Sequence, residues 1–170
     1  METNMYFIKA LAAYPYDLME TVESLNYALS MEPENPMALC LMGRVYLEQY
    51  QDYEKAIEYF EAALAQDVKA VQIYAYYLRA LIFNEEYDRA RKFIDFACGV
   101  KAADKAILHV SMALIYEGER KWKKALKELE KSKFHAYNNE FMHFADGFES
   151  RIKRKQAMEK DNGTKKRNKS

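Results

Sequence analysis

Apolar residues in this chain recur at three-to-four-residue steps within short segments, which predicts amphipathic helices. The segments themselves repeat. In residues 35–70 the pattern is marked by Gly43, Tyr46, Tyr53, Ala56, Phe60 and Ala63. Moving on by 34 or 35 residues, Tyr53 becomes Tyr87 and then Trp122, and Ala56 becomes Ala90 and then Ala125. Phe60 becomes Ile94 and Leu129, Ala63 becomes Ala97 and Ser132, Tyr46 becomes Leu81 and Tyr116, and Gly43 becomes Leu78 and Ala113. Small columns let two helices approach, and the bulky columns beside them fill the space that remains, as in ridge-and-groove packing of an antiparallel pair. Polar breaks at Gln51-Asp52, Asn84-Glu85-Glu86 and Arg120-Lys121 divide each copy into two short helices.

From Pro36 to about Lys133 the chain resembles the tetratricopeptide repeat, whose series of small residue, aromatic, Ala, aromatic and Ala is present in Gly43, Tyr46, Ala56, Phe60 and Ala63. Leu39 stands where that family favours Trp, Val68 and Ala102 stand where it favours Pro, and the first two spacings carry one extra residue. A degenerate copy precedes these, with Leu18, Thr21, Leu25, Ala28, Leu29 and Pro33 in the second-helix columns and a chain break at Tyr14-Pro15-Tyr16. The resemblance implies an all-α, right-handed superhelix of antiparallel helix pairs, a TPR-like α-solenoid with its first helices lining a concave face. The expected organisation is a degenerate repeat at 1–35, repeats at 36–70, 71–104 and 105–137, a capping helix at 138–158, and a disordered basic tail at 159–170. Residues 1–158 would then form one structural domain.

The cap is read from Phe141, Phe144, Ala145, Phe148 and Ile152, one apolar stripe following the capping residues Asn138-Asn139. A helix with this stripe would cover the bare apolar face of a terminal repeat. A free partner-binding helix is the alternative. The stretch from Asp161 on has no apolar residue and is expected to be disordered.

Composition narrows the picture. Five Gly and three Pro are too few for the turns of a sandwich or barrel. The 14 Tyr and nine Phe suit helix–helix packing. The formal charge is zero, but residues 151–170 carry +7 and the first 150 carry −7. A tail with so few charges argues against strong nucleic-acid binding. Cys40 and Cys98 form no paired framework or metal spacing. With no secretory signal and no span-length apolar run, the expected location is the cytoplasm.

The sequence shows no phosphate loop, nucleophile elbow or zinc pattern, so no catalytic residue, metal or cofactor is expected and the chain is not read as an enzyme. His109, His135 and His143 lack ligand spacing. Binding is expected instead on the first-helix face, at Met37, Cys40, Arg44, Leu47, Gln72, Tyr76, Arg79, Phe83, Val110 and Leu114. Arg44 and Arg79 are 35 residues apart, in register, and beside apolar side chains they suit a peptide carrying an acidic group. The competing reading pairs each Arg with a nearby acid such as Glu48 or Glu117.

The carboxylate clamp that the resemblance implies for chaperone-binding modules is absent, because the matching places hold Tyr6, Ala10, Leu41, Gln72 and Tyr76. The leading expectation is a protein-interaction scaffold binding another protein or peptide. A small secretion-type or assembly chaperone and a self-associating structural module, pairing through its first helix as a homodimer, are the alternatives.

Overall fold

The computed structural model describes residues 4–167, with side chains described through Asp161. All regular structure among them is helical. The chain divides into two compact units, Met1–Glu86 and Tyr87–Ser170. The division falls inside the third expected repeat, between its two helices.

The first unit contains α1 (Met5–Ala13), α2 (Leu18–Met31), α3 (Pro36–Val45), a π-helical turn (Tyr46–Tyr50), α4 (Tyr53–Gln66) and α5 (Val71–Phe83). Side-chain oxygens cap the early helices, satisfying amides that helix geometry leaves unpaired. Asn4 accepts from Phe7, Asp17 from Glu20, and Asn35 from Met37 and Ala38 with Pro36 in the first turn. Helices α1, α2 and α3 share a core of Ala10, Leu25, Ala28, Leu41, Met42 and Val45, with Tyr46 and Tyr59 stacked at its edge.

The small column at Gly43 has a direct cause. A Cβ built there would lie 2.7 Å from Cε1 of Phe60, a fully buried ring that stacks on Tyr76. Ala56 and Ala63 are fully buried beside it, as the columns require.

The second unit contains α6 (Tyr87–Cys98), α7 (Lys105–Gly118), α8 (Trp122–Phe134) and α9 (Asn139–Arg167). Ala90, Ala97 and Ala125 are fully buried. Asn138 accepts from the Phe141 amide and starts α9, which packs on α8. Phe148, Ala145 and Ile152 close the core over Val110, Ala113, Ala125 and Leu129, with Phe141, Tyr116 and Trp122 at its margin. Phe144 departs from the expected stripe: it is 53% exposed and touches the rings of Phe141 and Phe148 from outside.

The helix also runs past residue 158 to Arg167, so the backbone of 159–167 is helical where a disordered tail was expected. Glu159, Lys160, Lys165, Lys166 and Arg167 are good helix formers and Asp161, Asn162, Gly163 and Thr164 are poor ones, but extending an anchored helix needs no new nucleus. Residues 168–170 of that tail lie outside the described residues.

The breaks between paired helices share one geometry. Among the described residues, Gln51, Glu85 and Arg120 are the non-glycine residues with positive φ, at 54°, 59° and 58°. After α5 and α7, the amides of Glu86 and Lys121 donate to Leu81 and Tyr116 in a Schellman closure. In the earlier copy the Asp52 amide reaches back one residue further, to Tyr46. Gly43 to Ala56 is thirteen residues, whereas Leu78–Ala90 and Ala113–Ala125 are twelve each. The π turn Tyr46–Tyr50 absorbs the extra residue without disturbing the columns on either side.

Candidate functional site

The π turn matters because of what it carries. Arg44 lies in the last turn of α3 and Glu48 in the π turn that follows it. Arg79 lies one repeat later on α5. One carboxylate joins the two registered arginines: Arg79 Nη2 donates to Glu48 Oε1 at 2.7 Å, and Arg44 Nη2 donates to Oε2 at 3.4 Å. The Tyr14 hydroxyl, at the end of α1, donates to the same Oε2. Three successive first helices therefore meet at Glu48.

Aromatic faces fix the guanidinium groups. Arg44 Cζ sits 4.9 Å from the Tyr14 ring centroid and 4.6 Å from that of Tyr76. Arg79 Cζ lies 6.0 Å from the Tyr76 centroid. Such stacking suits the planar, weakly hydrated guanidinium. The side chains of Arg44, Arg79 and Glu48 retain 27%, 39% and 22% of their exposure, so water and ligands reach the cluster from one side. The Nε atoms of both arginines are buried without a hydrogen-bond partner, an unusual cost in one small region.

The electrostatics follow from these contacts. Burial alone would raise the Glu48 pKa. The hydrogen bonds from Tyr14 and Arg79, with the charges of Arg44 and Arg79, outweigh burial and hold it below the ordinary carboxylate range. At neutral pH the cluster is two cations around one anion, a net single positive charge.

Arg44 and Arg79 both reach Glu48, which neutralises part of their charge. Around them Met37 and Phe83 are 43% and 47% exposed. Gln72 Nε2 donates to the Met37 sulfur at 3.7 Å, and Phe83 packs edge-on against Tyr53. Tyr76 is half-buried between Arg44 and the Phe60 ring.

Four expected lining residues do not line an open face. Cys40 and Leu47 are buried. Leu47 and its register mate Ile82 both turn inward, so that column belongs to the core. Burial pushes the Cys40 thiol up to about 11, so it stays protonated at neutral pH and is a packing residue. In the second unit, Val110 is buried and Leu114 packs on the core that α9 closes. Glu117 is also engaged there, accepting two hydrogen bonds from Arg151 at 3.0 and 2.8 Å and one from Lys155 at 2.8 Å.

Tyr14 is the member that sequence reasoning missed. Its place in Tyr14-Pro15-Tyr16 marked it only as part of a chain break, and the Tyr14–Pro15 bond is cis. The available signal was that an aromatic residue ending one first helix faces the side on which the next first helix carries Arg44.

Elsewhere, a shallow depression beside the α2–α3 turn is lined by Glu32, Pro33, Glu34, Asn35 and Pro36, with no convergent chemistry. His109 Nδ1 lies 2.7 Å from Glu128, and the His109 and His135 rings stack with centroids 5.6 Å apart. Among the described residues, no group of three or more His, Cys, Asp or Glu is placed to hold a metal ion. Among them, too, no helix is long and apolar enough to cross a membrane. No protein-family model matches the chain, and no curated protein matches it in sequence.

Proposed function

We propose that the chain is a cytoplasmic protein-interaction module built from tetratricopeptide-type helix pairs. On this reading the first-helix face of the Met1–Glu86 unit takes a peptide segment of another protein. The observation that supports it is the Arg44–Glu48–Arg79 cluster. Two arginines from successive repeats are held half-exposed against tyrosine rings, with only one carboxylate between them. Most of their donors are therefore positioned before any ligand arrives, which reduces the ordering cost of binding.

A ligand carboxylate would meet Arg44 and Arg79 from the open side and bring the cluster to neutrality. Exposed Met37 and Phe83, with the edge of Tyr76, offer apolar contacts on either side. Met suits this role because its flexible thioether adapts to different side chains. The preferred segment is thus one in which an acidic residue is flanked by apolar ones.

The test is affinity capture from cells followed by mass spectrometry, comparing the natural chain with Arg44→Gln/Arg79→Gln. Far-UV circular dichroism of both proteins controls for folding. The expected result is loss of the captured partners at unchanged helicity. Equal recovery by the variant would remove the basis for placing the site here.

A further inference from the structure

Charge divides along the same line as the two compact units. Met1–Glu86 holds 14 acidic and five basic residues and Tyr87–Ser170 holds 12 and 21, so the units carry −9 and +9. Within the second unit the bases concentrate. Residues 120–127 hold five bases and no acid, and residues 151–158 hold four and no acid. The first stretch opens α8, and the second lies in the middle of α9. Arg120 and Trp122, at the start of α8, reach Glu159 of α9, whereas Lys133, near the end of α8, reaches Asp146 and Glu149. The two helices therefore run antiparallel, with the acid-free stretches side by side.

The acids around these stretches are already occupied. Glu117 sits between Arg151 and Lys155, and Glu119 between Arg91 and Lys121, so each of these groups keeps one net positive charge. Lys123, Lys127 and Arg154 are exposed and pair with no acid among the described residues. Lys123 and Lys127 stand one residue beyond Trp122 and Leu126, which pack on the core that α9 closes. Lys153, tied to Glu149, and Arg154 stand one and two residues beyond the fully buried Ile152. At 3.6 residues per turn these four bases face away from the core, on the outside of the α8–α9 pair.

The chemistry of this surface selects the occupant. Among the described residues of 120–133 and 151–161, Met158 is the one large apolar side chain left exposed. A protein partner buries an apolar centre, and a membrane-bound helix buries an apolar face. The apolar stripe of α9 is already taken up by the core through Ala145, Phe148 and Ile152. A phosphate backbone needs no apolar contact: it presents a negative charge about every 1.7 Å of duplex axis and is held by Lys and Arg. A short basic tail binds nucleic acid weakly by itself. The helical course of α9 carries residues 159–167, with four bases and two acids, in line beyond Arg154 and so joins the tail to the bases of α8. We propose that the outer α8–α9 surface binds nucleic acid through its phosphate backbone, without reading base sequence.

The proposal uses none of the residues of the arginine site. It is tested on the full chain by fluorescence anisotropy, with a labelled DNA duplex of about 20 base pairs and a labelled single-stranded RNA of about 20 nucleotides, long enough to span several phosphate contacts. Both are expected to bind with a Kd of about 1–100 μM near physiological salt, whatever their sequence. Three or four phosphate contacts give a slope of log K against log salt of about −3 to −4 on the duplex, roughly a hundredfold between about 50 and about 200 mM. Lys123→Gln/Lys127→Gln is expected to keep its circular dichroism, to reduce that slope by about 2 and to weaken binding at about 50 mM salt at least tenfold. The same change of charge at Lys55 and Lys69, exposed in the first unit, is expected to leave the slope as it was. The proposal is overturned if neither probe binds at about 50 mM salt, or if Lys123→Gln/Lys127→Gln binds as the natural chain does. It is equally overturned if poly-glutamate or phosphatidylserine vesicles bind more tightly than either probe at the same salt, which would assign the surface to an acidic protein segment or to a membrane.

Discussion

Replacing Glu48 with Gln preserves shape and removes the one negative charge between Arg44 and Arg79. Glu48 accepts from Tyr14, from Arg79 at 2.7 Å and, more weakly, from Arg44 at 3.4 Å. Gln keeps one acceptor oxygen, so one of the two close bonds survives as a neutral bond and the other is lost. A charge-assisted bond contributes about 1.5–3 kcal/mol and a neutral one about 0.5–1.5, so losing two of the first and keeping one of the second gives a gross loss of about 2.5–4.5 kcal/mol. Arg79 is more than a third exposed, and water compensates part of that loss, leaving an expected destabilisation of about 1–2 kcal/mol. The loss must also depend on pH in one direction. The folded-state pKa of Glu48 is lowered, so its stabilisation is complete above the unfolded carboxylate pKa and disappears as pH falls through the folded value. Urea unfolding of the natural chain and Glu48→Gln at pH 7, and again in steps downward from about pH 5, checks this. The gap between them is expected to be widest at pH 7 and to close on acidification. A gap that is the same at pH 7 and pH 3 would refute the ionic role assigned to Glu48.

Two further predictions concern the packing. Gly43→Ala places a Cβ into the buried Phe60 ring, at an overpacking cost of about 1–3 kcal/mol, against which the helical gain of Gly→Ala returns about 1. The expected outcome is a net loss in thermal unfolding that shrinks when Phe60→Leu is added, whereas Phe60→Leu alone is destabilising. Phe148→Ala removes a side chain that is 3% exposed and closes the second unit's core, so a loss of about 3–5 kcal/mol is expected by urea unfolding. The same truncation at Phe144, which is 53% exposed, is expected to change stability by well under half as much.

Of the fold, what the sequence made legible was whatever depends on local spacing. Ala56, Ala63, Ala90, Ala97 and Ala125 are all fully buried at the places that their columns assign. The polar breaks hold the left-handed residues Gln51, Glu85 and Arg120. Spacing was silent where burial depends on a covering element. Val110 shares its register with exposed Ala75, and Leu114 shares its register with half-exposed Arg44 and Arg79, yet α9 closes over their unit. Leu47 and Phe144 failed for a related reason: a helical face is continuous, and spacing alone does not fix where its buried sector ends. Composition misread 159–167, because polarity reports the lack of a core and not the propensity to extend a helix that is already anchored.

The single extra residue in the second repeat links these two kinds of information. As a spacing, it read only as a departure from the pattern. In the structure it becomes a π turn, and that turn leaves both flanking columns undisturbed while carrying the carboxylate that joins Arg44 to Arg79. In the next repeat, where no residue is inserted, the place 35 residues after Glu48 is Phe83, an exposed apolar side chain. The third repeat thus supplies a cation and an apolar contact but no counter-ion of its own at that position. The departure from the pattern and the candidate site thus share one segment: the irregular turn that takes up the extra residue also carries the carboxylate between the two arginines.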